Sequence, residues 1–282
     1  MMYPILELIR PKHWVKNLII FAPLIFSGPE MFGNLNSLFL VIETFFIFCV
    51  LSSAIYVFND ICDYKIDKLH KFKRKTKPLA SNKITLYEAK LLLILLLVIS
   101  FVTLYFYPKL FSISLIFILL NFLYSIKFKH IQILDMFSVA TSYLLRIYAG
   151  GIVIDVSISS WMFVTVFSTA LFIVSLKRKN ENELIGSKAR VALNNINKDI
   201  LSYFTIISAS IALCFYSLYV IFETKDNLIL SIPLVIFIFF RYLYTNDKKK
   251  INDSSPVDVL FSDPVLILSI LSWCIISIAT LL

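Results

Sequence analysis

Apolar positions in this chain run in long unbroken stretches, and charged or turn-forming residues interrupt them at fairly regular intervals. A helix needs about 20 apolar residues to cross a bilayer, because the hydrocarbon core is about 30 Å thick and each residue rises about 1.5 Å. Nine stretches approach that length: 14–28, 35–58, 86–106, 110–126, 132–153, 160–176, 201–222, 228–244 and 264–282. The first is short and contains Pro23. Irregular backbone facing lipid would leave amides unpaired, so the stretches are predicted to be helices. A β-barrel fits poorly, since its strands alternate over about 10 residues. The predicted fold class is therefore an all-α polytopic membrane protein with nine transmembrane helices, organised as one domain over residues 1–282.

Charge placement agrees with an odd number of spans. Nine helices joined end to end put the N-terminus and the even-numbered connections on one side. That side receives Arg10, Lys12 and Lys16, eight basic residues between 59 and 85, Lys127 and Lys129, six between 177 and 198, and four between 241 and 250. The opposite connections hold Lys109 and Lys225. The Lys/Arg asymmetry makes the first side cytoplasmic and the C-terminus external. The expected location is the inner (cytoplasmic) membrane, with loops near 59–85 and 177–199 on the cytoplasmic face.

Composition supports the same class. Of 282 residues, 59% are hydrophobic and the mean hydropathy is +0.84, above the roughly 45–50% apolar content of a soluble domain. The formal net charge of +9 belongs to the loops, where it suits anionic lipid headgroups and does not form a nucleic-acid-binding face. No signal peptide is evident. Cys49, Cys62, Cys214 and Cys274 have neither metal-ligand nor redox spacing, and no disulfide is expected.

The stretch NDICDYKIDKLHKFKRKTKPLAS, residues 59–81, carries candidate chemistry. Asn59, Asp60, Asp63 and Asp67 share one face of a helix at the membrane boundary. Like charges repel and Asp is a poor helix former, so helix propensity does not favour this row. A divalent ion would offset the repulsion, and Mg²⁺ commonly binds one or two carboxylates together with substrate phosphates. The plainer alternative is a solvated acidic helix end paired with Lys65, Lys68 and Lys71. The following basic run includes Lys73, Arg74 and Lys77, which could orient phosphate oxygens or lie on anionic lipid.

Charges inside apolar spans are costly and mark function by default. Asp135 and Arg146 lie three turns apart in one such span. Arg146 must meet an acid, a carbonyl or a bound anion; the alternative to a functional role is an intramembrane ion pair that holds the bundle together. Tyr124 and Lys127 are three apart and can meet one ligand, although a Tyr at a membrane border is ordinarily an anchor. Lys177 and Arg178 follow an apolar run and offer a second phosphate clamp, unless Lys177 simply pairs with Glu181 four residues on. Asp258 and Asp263 read as helix caps, and His13 and His130 as interfacial polar groups.

The acid-rich segment resembles the first aspartate-rich motif of the UbiA superfamily of intramembrane prenyltransferases. The segments RPKHWVKNLIIFAPLIFSG, NFLYSIKFKHIQILD, LLRIYAGG, SLKRKNE and SPVDVLFSDP extend the likeness over residues 10–264. Together they are most similar to the decaprenyl-phosphate phosphoribosyltransferase branch. The resemblance implies nine helices around a central cavity. It also implies transfer of a 5-phosphoribosyl group from phosphoribosyl pyrophosphate to a membrane polyprenyl phosphate. By the same resemblance, Asn59, Asp60, Asp63 and Asp67 hold Mg²⁺ and the diphosphate, and the aspartates share the catalytic role with Lys127. Tyr124 and Lys127 match an element beside the donor, and Lys177 and Arg178 match the basic element after the sixth helix. Aromatic-prenylating relatives carry a second aspartate-rich motif there, which LKRKNENE replaces. Prenyl transfer to an aromatic or other small acceptor is the alternative reading. A transporter or scaffold is a third, opposed by polar residues gathered at one face. Oligomeric state is not encoded in these motifs.

Overall fold

The structure, a computed structural model, describes residues 2–69, 73–185, 192, 196–223, 226–248 and 255–281. In chain order the helices are α1 (Met2–Ile9), α2 (Ala22–Phe26), α3 (Pro29–Phe32), α4 (Leu35–Leu69), α5 (Lys73–Thr76), α6 (Leu86–Phe106) and α7 (Pro108–Ile126). They continue with α8 (Leu134–Val153), α9 (Ser160–Ile185), α10 (Lys198–Glu223), α11 (Ser231–Lys248), α12 (Pro256–Phe261) and α13 (Pro264–Leu281). Short 3₁₀ segments precede α2, α8 and α11.

Eight described helices are long and apolar enough to cross a bilayer: α4 and α6 to α11, with the 3₁₀ turn before α11 included in its span, and α13. The chain is a multi-pass membrane protein. The ninth expected span, 14–28, is instead a 3₁₀ helix, Pro11–Phe21, that runs into α2. Pro23 lacks an amide hydrogen and cannot donate within a continuous α-helix. A 3₁₀ helix rises about 2 Å per residue, so the two pieces still reach about 30 Å. By length alone this segment matches a bilayer, although it is not a regular α-helical span.

α8 is the central helix, with 67% of its apolar window buried, whereas α6 and α13 are peripheral at 17% each. Ile20 of the 3₁₀ helix packs with Phe48 and Leu51 of α4, Phe117 of α7 and Leu145 of α8 in one core. Phe172 and Leu176 of α9, Tyr216 of α10, Phe239 of α11 and Leu266 of α13 form another. On α6, Leu91, Ile94, Leu95, Val98 and Val102 are exposed along one stripe, as expected of a face turned to lipid.

Two local features place the site. α4 has 35 residues and is therefore about 52 Å long, exceeding the hydrocarbon core by about 20 Å. Its last turns carry Asn59 to Asp67 beyond the apolar stretch without a break in the helix. Gly150 of α8 lets the 3₁₀ helix approach closely, because a Cβ there would lie 2.1 Å from the Ile20 carbonyl oxygen. Backbone cannot yield as a flexible side chain would. Gly150→Ala is expected to destabilise the fold by at least about 1–3 kcal/mol. Thermal melting of the purified protein checks this, and an unchanged midpoint would contradict the packing described.

Candidate functional site

The site gathers at the end of the bundle where α4 carries its acids. Arg10 joins α1 to the 3₁₀ helix in the left-handed region, at φ 53° and ψ 61°. Pro11 disfavours the right-handed helical conformation at the residue before it, so the chain turns here. The turn brings Arg10 to both carboxylate oxygens of Asp60, each at 2.7 Å. Lys77 bridges Asp60 at 2.9 Å and Asp67 at 2.6 Å. Both carboxylates are almost fully buried. Burial opposes the Lys77 charge, but the facing Asp60 and Asp67 outweigh it and hold its pKa above the usual lysine value. Burial likewise opposes the Arg10 cation, and Asp60 more than compensates.

The acidic face divides between two sets of partners. Asp63 accepts from Lys129 at 2.5 Å and from Asn59 at 3.1 Å. Among the described residues, no three His, Cys, Asp or Glu side chains converge as a metal-binding group. Asp60 and Asp67 nevertheless converge on a single cation, the Lys77 ammonium. That all-oxygen pair fits Mg²⁺, which takes one or two carboxylates and completes its shell with phosphates and water.

A second cluster lies on α9. Arg178 is buried and donates to Asp135 of α8 at 2.6 Å, to Glu181 at 2.8 Å and to the Tyr124 hydroxyl of α7 at 3.2 Å. Lys177 pairs with Glu181 at 3.5 Å. An ion pair between Asp135 and Arg146 is not formed. Eleven residues separate them by about 16 Å along the helix, too far for contact. Arg146 instead donates to Asn17 at 2.7 Å, to the Ser142 carbonyl and hydroxyl at 2.7 Å each, and to Ser52 at 3.5 Å. Its guanidinium lies over the Phe117 ring, 4.7 Å from the centroid.

The two clusters border a cavity of about 210 Å³. Arg10, Lys16, Arg146, Lys177 and Arg178 line it, together with Asn59 and Tyr124, and among the described residues no Asp or Glu does. His13 also faces it. A second cavity of about 250 Å³, lined chiefly by apolar groups including Phe172, Phe239, Leu260 and Ile270, lies between α9, α11, α12 and α13. Lys16, Tyr143, Ile173 and Pro256 line both cavities.

The remaining candidates lie apart from these walls. Arg74 and Lys127 are exposed. Lys73 begins α5, but its side chain lies outside the described residues, as do His70 and Lys71. Helix α7 ends at Ile126, and the following 3₁₀ turn, Phe128–His130, directs Lys129 inward. Lys129→Met should therefore cost about 1–3 kcal/mol through loss of the Asp63 contact, whereas Lys127→Met should stay within about 0.5 kcal/mol. Comparative melting checks the order, and equal effects would count against it. As expected, Asp258 and Asp263 act as caps. Asp258 closes a capping box with Ser255 at the start of α12. Burial works against its charge, but Lys12 and Ser255 pull its pKa down to about 2. Asp263 pairs with Arg241 at 2.6 Å and accepts from the first amides of α13. Arg241 holds Asp263 below the usual carboxylate range.

By charge count Arg10 and Lys16 belong to a loop, and neither Asn17 nor Lys129 stands in a motif that marks a site residue. The only available signals were a charge before an apolar stretch and polar residues within it.

Known proteins resemble the chain in sequence and in fold. A decaprenyl-phosphate phosphoribosyltransferase of Mycolicibacterium smegmatis is 29% identical over 230 residues, covering 79% of this chain and 72% of the relative. One from Corynebacterium glutamicum is 28% identical over 287 residues, covering 96% and 85%. Among solved structures, a UbiA homolog from Archaeoglobus fulgidus bound to DMAPP and Mg²⁺ matches with a TM-score of 0.73 at 19% identity, covering 98% of this chain and 99% of that one. The family profile of the UbiA prenyltransferases matches residues 19–262, most of the chain. This protein is a member of the UbiA prenyltransferase family.

Proposed function

We propose that the chain transfers a 5-phosphoribosyl group from phosphoribosyl pyrophosphate to a membrane polyprenyl phosphate and releases diphosphate. The observation that carries this reading is the cavity wall, where Arg10, Lys16, Arg146, Lys177 and Arg178 suit a reaction whose donor and acceptor both bring phosphate, and where no carboxylate stands among the described residues. A prenyl diphosphate donor has one anionic end, whereas phosphoribosyl pyrophosphate bears a further 5-phosphate. Lys177 and Arg178 stand where the resemblance gives aromatic-prenylating relatives a second acidic motif. Arg supplies planar, bidentate phosphate contacts there and Lys a point charge. The names of the two bacterial relatives support the same reaction.

Asn59, Asp60, Asp63 and Asp67 are the side chains that would hold Mg²⁺ and the diphosphate. When bound, the ion supplies charge neutralisation for the departing group. The acceptor phosphate oxygen bonds to ribose C1 as the C1–O bond to diphosphate breaks, and the bonding pair leaves with the diphosphate. The acceptor is already ionised, so the site needs no strong base. Arg10 and Lys77 fix the two buried carboxylates in place before substrate arrives, and Arg178 fixes Tyr124 beside the cavity. Lys127 would join from the exposed turn, and Lys73 and Arg74 from the basic run. The acceptor's chain occupies the apolar cavity, and the soluble donor arrives from the charged end, which is the cytoplasmic side in this reading. The membrane is the inner membrane, with the N-terminus inside and the C-terminus outside, and chain 1–282 acts as one domain.

Equilibrium binding tests the donor assignment. With Mg²⁺ present, phosphoribosyl pyrophosphate is expected to bind at least about 10-fold more tightly than geranyl diphosphate, because the extra phosphate gains charge-assisted contacts. The reverse preference would favour the aromatic prenyl-transfer alternative.

A further inference from the structure

Two cations of the cavity have no acidic partner among the described residues. Arg146 spends its donors on Asn17, Ser142 and Ser52, all neutral. Lys16 has no hydrogen bond or ion pair with any described residue, and it lines the cavity together with Arg146. Arg10, Lys177 and Arg178, by contrast, are each paired with carboxylates. A low-dielectric wall on which two cations meet no carboxylate among the described residues is electrostatically incomplete, and an anion completes it.

Position identifies the anion. Lys16 and Tyr143 lie on the shared wall, with the cationic cavity on one side and the apolar cavity on the other. A ligand at that wall has a phosphate at one end and a hydrocarbon chain at the other. We infer that Lys16, backed by Arg146, is the seat of the acceptor's phosphate monoester, with its prenyl chain in the apolar cavity. This deepens the proposed function and rests on its acceptor class. It separates the anionic groups of the reaction: the donor's diphosphate belongs with the Asp60–Asp67 pair, and the lipid phosphate with Lys16. The donor's 5-phosphate has the same chemistry, but it brings no chain to fill the apolar cavity.

The test uses the full-length protein in detergent and measures binding of geranylgeranyl phosphate, geranylgeraniol and phosphoribosyl pyrophosphate. Lys16→Met is expected to weaken geranylgeranyl phosphate about 10- to 100-fold, the range for a lost charge-assisted hydrogen bond. Geranylgeraniol and phosphoribosyl pyrophosphate should bind the variant as they bind the parent, and Lys16→Arg should retain most of the phosphate affinity. Should the Met variant fail to fold, Lys16→Gln serves with the same expectation. Equal phosphate binding by parent and variant overturns the inference. Selective loss of phosphoribosyl pyrophosphate overturns it in favour of the donor's 5-phosphate. If the parent protein binds phosphoribosyl pyrophosphate but ignores geranylgeranyl phosphate, the acceptor class of the proposed function fails and this inference falls with it.

Discussion

Arg178→Met is expected to destabilise the protein by about 3–5 kcal/mol, because it leaves buried negative charge without a counter-ion. The guanidinium serves three groups at once: Asp135 on α8, Glu181 one turn along α9, and Tyr124 on α7. Its loss therefore loosens the contact among three helices as well as the cavity wall they form. Removing the acids together with the cation should recover part of the loss, since replacing an entire buried charge cluster costs less than orphaning its members. The expected order of melting midpoints is parent, then Arg178→Met with Asp135→Asn and Glu181→Gln, then Arg178→Met alone. A single variant as stable as the parent would contradict the cluster's structural role.

Asp60→Asn is expected to reduce turnover about 10²- to 10³-fold, the range seen when one preorganised electrostatic group is removed from an active site. Asp60 is bound at once by Arg10 and Lys77, and Lys77 also binds Asp67. An amide keeps the shape but removes the charge that holds both cations. The prediction requires that the variant retain its helical spectrum and binding of geranylgeranyl phosphate, so that the loss is catalytic. Near-parental turnover by a folded Asp60→Asn protein would remove this carboxylate from the reaction.

The parts legible in the sequence were those that depend on composition along one helix. The apolar run 35–58 followed by Asn59, Asp60, Asp63 and Asp67 predicts one helix with an acidic end, and α4 carries all four in a continuous helix. The cap role of Asp258 was equally local, since Ser255 and Asp258 form the box within four residues. Direction was not legible. A charge-counting rule assigns Arg10 and Lys16 to a loop, yet a left-handed turn at Arg10 and the 3₁₀ helix after it bring both to the cavity. Lys127 and Lys129 look equivalent in sequence, and the end of α7 decides which one meets Asp63. Asp135 and Arg146 share a helical face, but partner choice depended on depth: Asp135 meets α9, and Arg146 meets the 3₁₀ segment and α4. Such contacts, 43 and 129 residues apart in sequence, have no periodic signature.

The most direct measurement is product formation by the purified protein in lipid, supplied with Mg²⁺, a polyprenyl phosphate and phosphoribosyl pyrophosphate labelled in the ribose. The expected result is a labelled lipid that disappears on chelation and falls sharply with Asp60→Asn. Absence of labelled lipid with short and long acceptors, together with turnover of a prenyl diphosphate on an aromatic acceptor, would contradict it.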